Sequence, residues 1–270
     1  MGRIRSDATQ AAHGDRRFIT ALARGLSVLQ CFKPHERWLP HQEIVRRTGL
    51  PSATVSRLAF TLVSLGYLKH RSSAGEYALS AAVLALGFSM LTGCDLGRVA
   101  QPFMQTLADV SRAAVSLGVR HELSMVYIAN CSGTDRLTLG LDVGARIPIA
   151  VTAMGRAVLC AAAEPERERL HGMLEAADPA AWPKFRAGLT RAMEMFTERG
   201  FVTSESEWEA DISSIGAVID IGGGCGPFGL TIGGPSSYLK GRFLYDELGP
   251  KLVQVARDIT AAVHAGRWRD

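Results

Sequence analysis

The chain has 270 residues, 47% hydrophobic and 21% charged, which excludes wholesale disorder and predicts about two domains with buried cores. No apolar run reaches the roughly 20 residues of a membrane-spanning helix, and the charged start lacks the apolar segment of a signal peptide. Residues 1–90 carry 12 Lys and Arg against 5 Asp and Glu, whereas residues 91–270 carry 18 against 21, so a phosphate-binding half is expected before a mildly acidic one.

The first elements are an arm and a helix. Residues 1–17 are rich in Arg, Ser, Ala and Gly without a period, which predicts a disordered basic arm. Ile19–Phe32 has apolar side chains at helical spacing, and we expect them in the core of the first domain: Leu22, Leu26 and Leu29. Arg24 lies off that stripe and is a candidate phosphate contact.

Two short helices and a tight turn follow. Pro40 is suited to the first turn of a helix, which we expect to run to Thr48. Gly49 then supplies the backbone freedom that a helix end needs, and Pro51 starts the next helix at once. This is the spacing of a helix-turn-helix motif.

The second of these helices has two distinct faces. One is an apolar stripe formed by Val55, Leu58, Ala59, Leu62 and Leu65. The small and hydrogen-bonding residues near its start are typical of a recognition helix, since bulk there would keep the backbone out of the major groove. The candidate DNA contacts are Ser52, Ala53, Thr54, Ser56 and Arg57. Spacing alone leaves an alternative, an ordinary helical hairpin with a solvated polar face.

The next residues favour DNA binding over that alternative. Residues 66–71 and 76–79 are predicted to be short strands around a turn at 72–75, which would make a winged helix-turn-helix domain of residues 18–79. Lys69, His70 and Arg71 would lie towards the tip of this wing. Lys69 and Arg71 are therefore candidate contacts to the DNA backbone.

A linker helix is predicted at residues 80–92, with Ser80 as its cap. It is apolar on more than one face, so we expect it to pack against another chain and help form a dimer. Residues 93–95 interrupt it before an amphipathic helix at 96–112. The domain boundary is placed at about residue 92, which leaves residues 93–270 as a second domain.

The second half alternates between strands and helices. Strands are expected at 114–121 and 124–130, which form a hairpin, and at 136–141, 201–205, 214–221 and 228–233. Residues 145–152 are predicted to form a loop. Helices are expected at 154–162, from Pro165, at 185–199 before Gly200, and at 239–265. Strands grouped at both ends, with helices between them, indicate an α+β domain with a mostly antiparallel sheet.

Motifs along both halves carry a resemblance to a known family. In the first half they are Ala23–Leu29 (ARGLSVL), Gly49–Leu58 (GLPSATVSRL) and Thr61–Tyr67 (TLVSLGY). In the second half they are Gly144–Pro148 (GARIP), Thr152–Leu159 (TAMGRAVL), Arg199–Phe201 (RGF) and Leu230–Pro235 (LTIGGP). Over about residues 18–265 the chain resembles the IclR family of bacterial transcriptional regulators.

The resemblance implies an effector-responsive regulator that is not an enzyme. It implies a winged-helix domain, a linker helix and a GAF-like effector-binding domain. It further implies homodimers, often paired into tetramers, whose binding to double-stranded operator DNA changes when a small metabolite docks. Effectors in the family are often carboxylates or aromatic compounds from catabolic routes. Such a protein acts in the cytoplasm, without a membrane partner or a cofactor.

Carried over residue by residue, the resemblance also implies an effector site. The helix start contributes Ala153, Met154 and Gly155, and the sheet contributes Ser204, Ser214, Thr231 and Gly233. Backbone N–H groups at a helix N-terminus favour a carboxylate. Hydroxyls of Ser214 and Thr231 would add hydrogen bonds inside an apolar pocket. The alternative is that these two hydroxyls only satisfy backbone groups in their own strands.

Three positions depart from the family pattern. Gly233 stands where members often carry a hydroxyl, which removes one donor to a ligand carboxylate and puts the ligand class in doubt. Val218 replaces a frequent proline and Arg156 a frequent lysine, and both are interpreted as structural. Trp208 is expected to pack on the surface near the pocket rim, with stacking on an aromatic ligand as the alternative.

Other patterns do not indicate a catalytic or metal site. Gly222–Gly226 joins two strands and lacks a Lys-Ser/Thr ending, so a hairpin turn is expected rather than a phosphate loop. The seven histidines show no metal-ligand spacing, and the acidic residues between 205 and 211 are expected to form a solvated loop.

The cysteines are scattered and show no C-x-x-C pair, which favours a reducing compartment over a zinc site or a disulfide framework. They are Cys31, Cys94, Cys131, Cys160 and Cys225. Two rival functions remain: an enzyme built on a GAF-like domain, and a regulator whose cysteines sense oxidants.

Overall fold

The computed structural model describes residues 15–33, 36–93, 96–133, 141–222 and 226–266. The chain divides into two compact units, residues 1–94 and residues 95–270. Three sets of expectations fall wholly or mostly outside the described residues: the basic arm at 1–17, the strand at 136–141 and the glycine loop at 222–226.

The first unit has the elements of a winged helix-turn-helix domain. Its helices are α1 Thr20–Gln30, α2 His41–Thr48, α3 Ser52–Ser64 and α4 Ala81–Gly93, and its strands are β1 Leu39–Pro40, β2 Leu68–Arg71 and β3 Glu76–Leu79. The strands form an antiparallel sheet in the order β1-β3-β2. The predicted helix-turn-helix and wing are therefore confirmed, with β1 as an additional short strand.

The turn between α2 and α3 follows from its glycine. Gly49 adopts a left-handed conformation at φ 66° and its N–H donates to the carbonyl of Val45 at 2.9 Å, which closes α2. Only Leu50 and Pro51 then separate this glycine from α3. The core beneath the motif consists of Val28, Leu39, Ile44, Val55, Ala59, Leu62 and Leu68.

Part of the predicted core of this unit is wrong. Leu22 and Leu26 are 60% and 49% exposed, and Val28 is the fully buried residue of α1. Leu65, at the end of the α3 stripe, is also exposed at 63%. Helical spacing identifies an apolar face but does not say whether that face meets the chain's own core or another surface.

The predicted linker helix is present as α4. Ser80 caps it, because the Ser80 Oγ accepts a hydrogen bond from the N–H of Ala82 at 3.1 Å. Leu84 and Leu86 on this helix are 71% and 59% exposed. A single helix with such side chains in contact with solvent presents an unusually apolar surface.

The second unit is built around a six-stranded sheet. Its strands are β4 Ala114–His121, β5 Ser124–Cys131, β6 Arg146–Pro148, β7 Val202–Glu205, β8 Ile212–Asp220 and β9 Pro227–Pro235. Its helices are α5 Leu96–Ser111, α6 Ala153–Ala161, α7 Glu164–Ala177, α8 Trp182–Arg199 and α9 Gly249–Ala265, and a π-helical segment, Phe243–Leu248, precedes α9.

The sheet is antiparallel throughout, with the order β6-β5-β4-β9-β8-β7. The predicted α+β fold with an antiparallel sheet is confirmed, as is the β4–β5 hairpin. The loop predicted at 145–152 is wrong in part, because it contains the edge strand β6. This strand has only three residues. Arg146 is charged and Pro148 cannot donate a backbone hydrogen bond, so the sequence gives no strand signal here.

The remaining helices lie close to their predicted places. Helix α8 begins at Trp182, three residues before its predicted start at Phe185, and Gly200 closes it at φ 76°. The long C-terminal helix differs in that its first part is the π-helical segment. None of the helices in the described ranges is long and apolar enough to cross a membrane.

Helix α6 packs unusually closely on the sheet, over three glycines. A Cβ atom on Gly216 would lie 2.5 Å from the Ala153 carbonyl oxygen, and one on Gly229 would lie 2.4 Å from the Met154 Cγ. A Cβ on Gly118 would lie 2.6 Å from the Met154 Sδ. The backbones of β4, β8 and β9 thus make room for the first turn of α6, which fixes where that turn meets the sheet.

Candidate DNA-binding surface and effector site

The start of α3 presents an accessible polar surface. Ser52, Ala53, Ser56 and Arg57 are exposed, and Thr54 is half-buried. The Ser56 Oγ lies 3.1 Å from the His41 Nε2, which ties the beginnings of α2 and α3 together. Arg57 makes no ion pair within the described residues, so its guanidinium is free to bind a base edge or a phosphate.

The basic residues of the wing have different environments. Lys69 is exposed and makes no ion pair within the described part of the chain. Arg71 forms an ion pair with Glu76 at 3.2 Å, and its guanidinium carbon lies 4.2 Å from the centroid of the Trp38 ring. Arg24, on α1, is exposed. Lys69 is thus the freer of the two candidate wing contacts.

One basic residue of α2 serves structure rather than the surface. Arg47 donates to Glu36, Glu43 and the Cys31 carbonyl, and these bonds link the start of the β1 region, α2 and the end of α1. The Arg47 guanidinium lowers the pKa of the Glu36 carboxyl to about 2 through these hydrogen bonds. Sequence spacing shows the Glu43–Arg47 pair at i, i+4, but not the link to Glu36.

The sheet residues of the predicted effector site lie on one face. Ser214 pairs directly with Ser204 on β7 and with Gly233 on β9, while Gly216 pairs with Thr231. Cross-strand partners share a face, and so do residues two apart on one strand. Because Gly216 faces the first turn of α6, all four predicted sheet residues lie on the side of the sheet that carries this helix.

The first turn of α6 offers two backbone donors. The Thr152 Oγ1 caps the helix by accepting from the N–H of Gly155 at 3.3 Å, which leaves the N–H groups of Ala153 and Met154 without partners inside the helix. The N–H of Gly155 is already used by this cap, and the residue also has a packing role, since a Cβ there would lie 2.3 Å from the Ile149 carbonyl oxygen. An anion at this turn would bind the two remaining N–H groups.

The hydroxyls of the site are not equivalent. Ser204 donates to the Val151 carbonyl at 2.6 Å, and Thr231 donates to the Ile215 carbonyl at 2.8 Å. Ser214 is half-buried, and its hydroxyl makes no hydrogen bond within the described residues. The alternative that a hydroxyl satisfies a strand carbonyl therefore describes Thr231 but not Ser214.

Two polar residues of this face were missed by the sequence reasoning. Ser116 pairs with Thr231 on one side and with Asn130 on the other, and the Ser116 Oγ donates to the Asn130 Oδ1 at 2.7 Å. Asn130 also donates to the Leu141 carbonyl at 3.0 Å. Nearby, burial raises the pKa of the Tyr127 hydroxyl to about 12. Polar side chains on this face of the sheet thus continue from β9 onto β4 and β5. In the sequence, only the alternation of side chains between the two faces of β4 and β5 could have indicated this.

A buried ion pair fixes the segment that follows β7. The Arg156 side chain is 3% exposed and donates to both carboxylate oxygens of Glu207, at 2.6 and 2.7 Å, and to the Ala150 carbonyl at 2.9 Å. The Arg156 guanidinium lowers the pKa of the Glu207 carboxyl. The prediction of a wholly solvated acidic loop is therefore wrong at Glu207. Trp208 is half-buried against the apolar cluster that contains Met154.

The described cysteines are poorly suited to nucleophilic chemistry. Burial raises the pKa of the Cys31 and Cys160 thiols to about 11, and it also raises the pKa of the Cys131 thiol. At neutral pH these groups hold little of the thiolate that reacts with oxidants. Cys94 and Cys225 lie outside the described residues. Within the described ranges, no three His, Cys, Asp or Glu side chains lie together as a metal site requires.

Family comparison identifies both halves of the chain. The model for the bacterial transcriptional regulator IclR C-terminal domain matches residues 88–261, and the IclR helix-turn-helix domain matches residues 21–72. The chain belongs to the IclR family. It is a transcriptional regulator with a helix-turn-helix DNA-binding domain, and the curated relatives named below are regulators rather than enzymes.

Individual members of the IclR family match most of the chain. The HTH-type transcriptional regulator TsaQ1/TsaQ2 of Comamonas testosteroni is 33% identical, over 92% of this chain and 90% of that protein. The transcriptional repressor IclR of Escherichia coli is 23% identical over 97% and 95%. A crystal structure of an IclR family transcriptional regulator from Brucella abortus has 41% identity and a TM-score of 0.82, and covers 93% of this chain and 95% of that one.

Proposed function

We propose that this IclR-family chain acts in the cytoplasm as a homodimeric regulator whose binding to operator DNA responds to a small organic carboxylate or aromatic effector. The observation that carries the effector part is the position of Ser214. Its hydroxyl has no partner within the described residues. Ser214 lies on the same face of β8 as Gly216, two residues away, and Gly216 packs against the first turn of α6.

The chemistry of this place suits a carboxylate. The N–H groups of Ala153 and Met154 and the Ser214 hydroxyl can all donate to an anion without breaking a hydrogen bond of the described structure. Gly233, opposite Ser214 on β9, adds no side-chain donor. A ligand with one carboxylate therefore matches the available donors better than a ligand with several.

The body of the effector would meet an apolar surface. On the same side of the sheet, Met125, Tyr127, Ile147 and Met154 belong to one buried cluster, against which Trp208 packs. Aromatic rings and short hydrocarbon chains are the groups that such a surface favours. Asn130 donates to the carbonyl of Leu141, which packs against this cluster, and Ser116 donates to Asn130. These two side chains would select among ring substituents by hydrogen bonding.

The DNA-binding half is proposed to act as a pair. Leu22 and Leu26 on α1, and Leu84 and Leu86 on α4, leave about half or more of their surface exposed, although burying such a side chain is worth about 1.5–3 kcal/mol. A second copy of the chain would cover these residues and hold two α3 helices for two half-sites. Tetramers would pair two such dimers, and a domain boundary at about residue 92 would leave α4 with the DNA-binding half.

The effector proposal is tested by thermal-shift titration of the full chain. The ligands are a panel of aromatic carboxylates and short oxo-acids, with benzoate and pyruvate as first members. A ligand at about 100 times its Kd adds about 2.7 kcal/mol to the stability of the binding domain. Ser214→Ala should weaken the binding of a panel member about tenfold, because a charge-assisted hydrogen bond is lost.

The matched control is Ser237→Ala, which removes an exposed hydroxyl just beyond β9. This variant should bind like the natural chain. Equal effects of the two substitutions, or no effect of Ser214→Ala on any ligand that binds, would contradict the proposed site.

A further inference from the structure

A groove on the second unit is lined by residues other than those of the proposed effector site. It has a volume of about 680 Å³ and is formed by the last turn of α6, one side of α7 and a long stripe of α8. None of the predicted effector residues lines it. Its volume is within the range of about 300–1,000 Å³ that is typical of small-molecule pockets.

The floor of the groove is apolar and already shaped. Leu159, Cys160 and Leu189 line it while remaining 1%, 8% and 5% exposed, so these side chains are held in place by the core below them. Met193 continues the apolar surface along α8. Because these side chains are already packed in the core, they lose little conformational entropy when a ligand covers them.

One end of the groove is positively charged. Arg186 lines this end, is exposed, and makes no ion pair within the described part of the chain. By contrast Arg167, further along, donates to the Ala162 carbonyl at 2.9 Å and pairs with Glu164. Burial lowers the pKa of His171, which also lines the groove, and the charges of Arg167 and Arg186 lower it further against the opposing charge of Glu168.

The other end is negatively charged. Glu194 and Glu198 line the groove one and two turns beyond Thr190 on α8. From Arg186 to Met193 the helix rises about 10 Å, and this stretch is apolar on its inner side. An acid bound at Arg186 can therefore lay its hydrocarbon part along the floor, whereas a second anionic group at the far end would meet two carboxylates.

We propose that this groove is a second ligand site, distinct from the effector site, which binds an amphiphilic monocarboxylate with its carboxylate at Arg186 and its hydrocarbon part between Leu189 and Met193. The site does not depend on the effector proposal, because the two share no residue. Octanoate is a suitable probe, since it has one carboxylate and an unbranched apolar chain.

The test is calorimetric titration of the full chain with octanoate. The natural chain should bind octanoate in the groove, and Arg186→Gln should weaken this binding about tenfold because the charge-assisted hydrogen bonds at the carboxylate are lost. Thr190→Trp, at an exposed position of the groove wall, should prevent binding by filling the groove. Both positions are on the surface of α8, so the thermal unfolding of the variants should stay close to that of the natural chain.

Lys184→Gln is the matched control, because Lys184 is exposed on the same helix but does not line the groove. This variant should bind octanoate like the natural chain. The proposal is overturned if the natural chain does not bind octanoate, if Lys184→Gln weakens binding as much as Arg186→Gln, or if Ser214→Ala rather than Arg186→Gln removes it. Sedimentation of the Arg186 variant gives a further outcome: a changed oligomeric state with unchanged octanoate affinity would make the groove an interface between copies and overturn the proposal.

Discussion

At the scale of single residues, Arg156 carries a charge that is buried in the described part of the second unit. Its guanidinium is almost wholly buried, and a charge in such a place is tolerated only with full hydrogen bonding. Glu207 and the Ala150 carbonyl provide it. A Cβ on Gly188 would lie 2.5 Å from the Arg156 Nη2, so α8 also depends on a glycine to leave room for the pair.

Removal of the carboxylate should therefore be costly. Glu207→Gln leaves the buried guanidinium with a neutral partner, and we expect the free energy of unfolding to fall by about 1–3 kcal/mol, since the Glu207 side chain is 26% exposed and part of the cost is relieved by solvent. Urea unfolding of the full chain measures this change. Glu209→Gln, at an exposed position two residues away, should change the unfolding free energy by less than about 0.5 kcal/mol.

The same pair predicts the direction of a pH effect. Because the pKa of Glu207 is lower in the folded chain than the ordinary value of 4.5, its contribution to stability is complete above pH 4.5 and is lost as the pH falls through the folded pKa. The difference in stability between the natural chain and Glu207→Gln should shrink on acidification over that range. A difference that stays constant would show that the ion pair contributes nothing.

At the scale of elements, the junction of β8 with α6 decides where the proposed carboxylate donors stand. Gly216→Ala would bring a Cβ within 2.5–2.9 Å of three backbone atoms of residues 153 and 154, none of which can rotate away. We expect a loss of about 1–3 kcal/mol in the stability of the second unit. Weaker binding of any carboxylate that stabilises the natural chain should accompany it, because the first turn of α6 must move.

Gly172→Ala is the control for this substitution. It makes the same chemical change in an exposed position of α7 where nothing lies within 4 Å of the new Cβ, and it should stabilise the helix by about 0.5–1 kcal/mol. Thermal unfolding of both variants checks the pair. If both substitutions shifted the unfolding temperature by similar amounts in the same direction, the close contact between Gly216 and α6 would not determine the stability of the second unit.

The helix α3 and the wing are expected to use their basic residues differently. Arg57→Ala should relax discrimination between sequences by about 1–3 kcal/mol, because the side chain stands at the start of the recognition helix and is free to contact a base edge. Lys69→Ala should weaken binding to all sequences alike and lower the salt slope by about one unit. Fluorescence titrations at several salt concentrations, with selected and scrambled duplexes, separate the two effects. Unchanged affinity and slope in both variants would contradict DNA binding by this face.

Periodic and turn signals predicted most elements, whereas contacts between distant residues were not predictable. Gly49 and Pro51 mark the helix-turn-helix because the freedom of glycine to adopt a positive φ and the fixed φ of proline both act locally. The exposure of Leu22 and Leu26 could not be foreseen, since an apolar stripe looks the same whether it meets the chain's own core or a partner. Arg156 and Glu207 are 51 residues apart, and only the fold joins them.

The residues of the proposed effector site were predicted in the same uneven way. The resemblance supplied Ser204, Ser214, Thr231 and Gly233, and β-sheet register brings them to one face. It did not distinguish the Thr231 hydroxyl, which donates to the Ile215 carbonyl, from the Ser214 hydroxyl, which has no hydrogen bond to any described residue, because that depends on which carbonyl lies within 3 Å. Ser116 and Asn130 were missed, since small polar residues in a strand give no signal until the register is known.

At the scale of the whole molecule, the two proposed activities must be coupled for the chain to regulate. A dimer on DNA holds its two recognition helices about 34 Å apart, or a multiple of that distance, to enter successive major grooves. Helix α4 is the last helix of the first unit and directly precedes the second unit along the chain. An effector under the first turn of α6 can change DNA affinity only if it binds one arrangement of the dimer better than another.

Such coupling between effector and DNA is reciprocal. A duplex selected from a random-sequence library by the full-length chain should change the Kd of the effector by the same factor by which the effector changes the Kd of the duplex, and a coupling of about 1–3 kcal/mol corresponds to roughly 5- to 150-fold. Ser214→Ala should reduce the response to the effector while leaving the ligand-free affinity for the duplex unchanged, because position 214 lies in the second unit, on the face that carries α6. Calorimetric titrations of the effector with and without the duplex measure the factor, and Ser237→Ala should retain it. Equal effector affinities with and without the duplex would mean that the site binds its ligand without regulating the DNA-binding half.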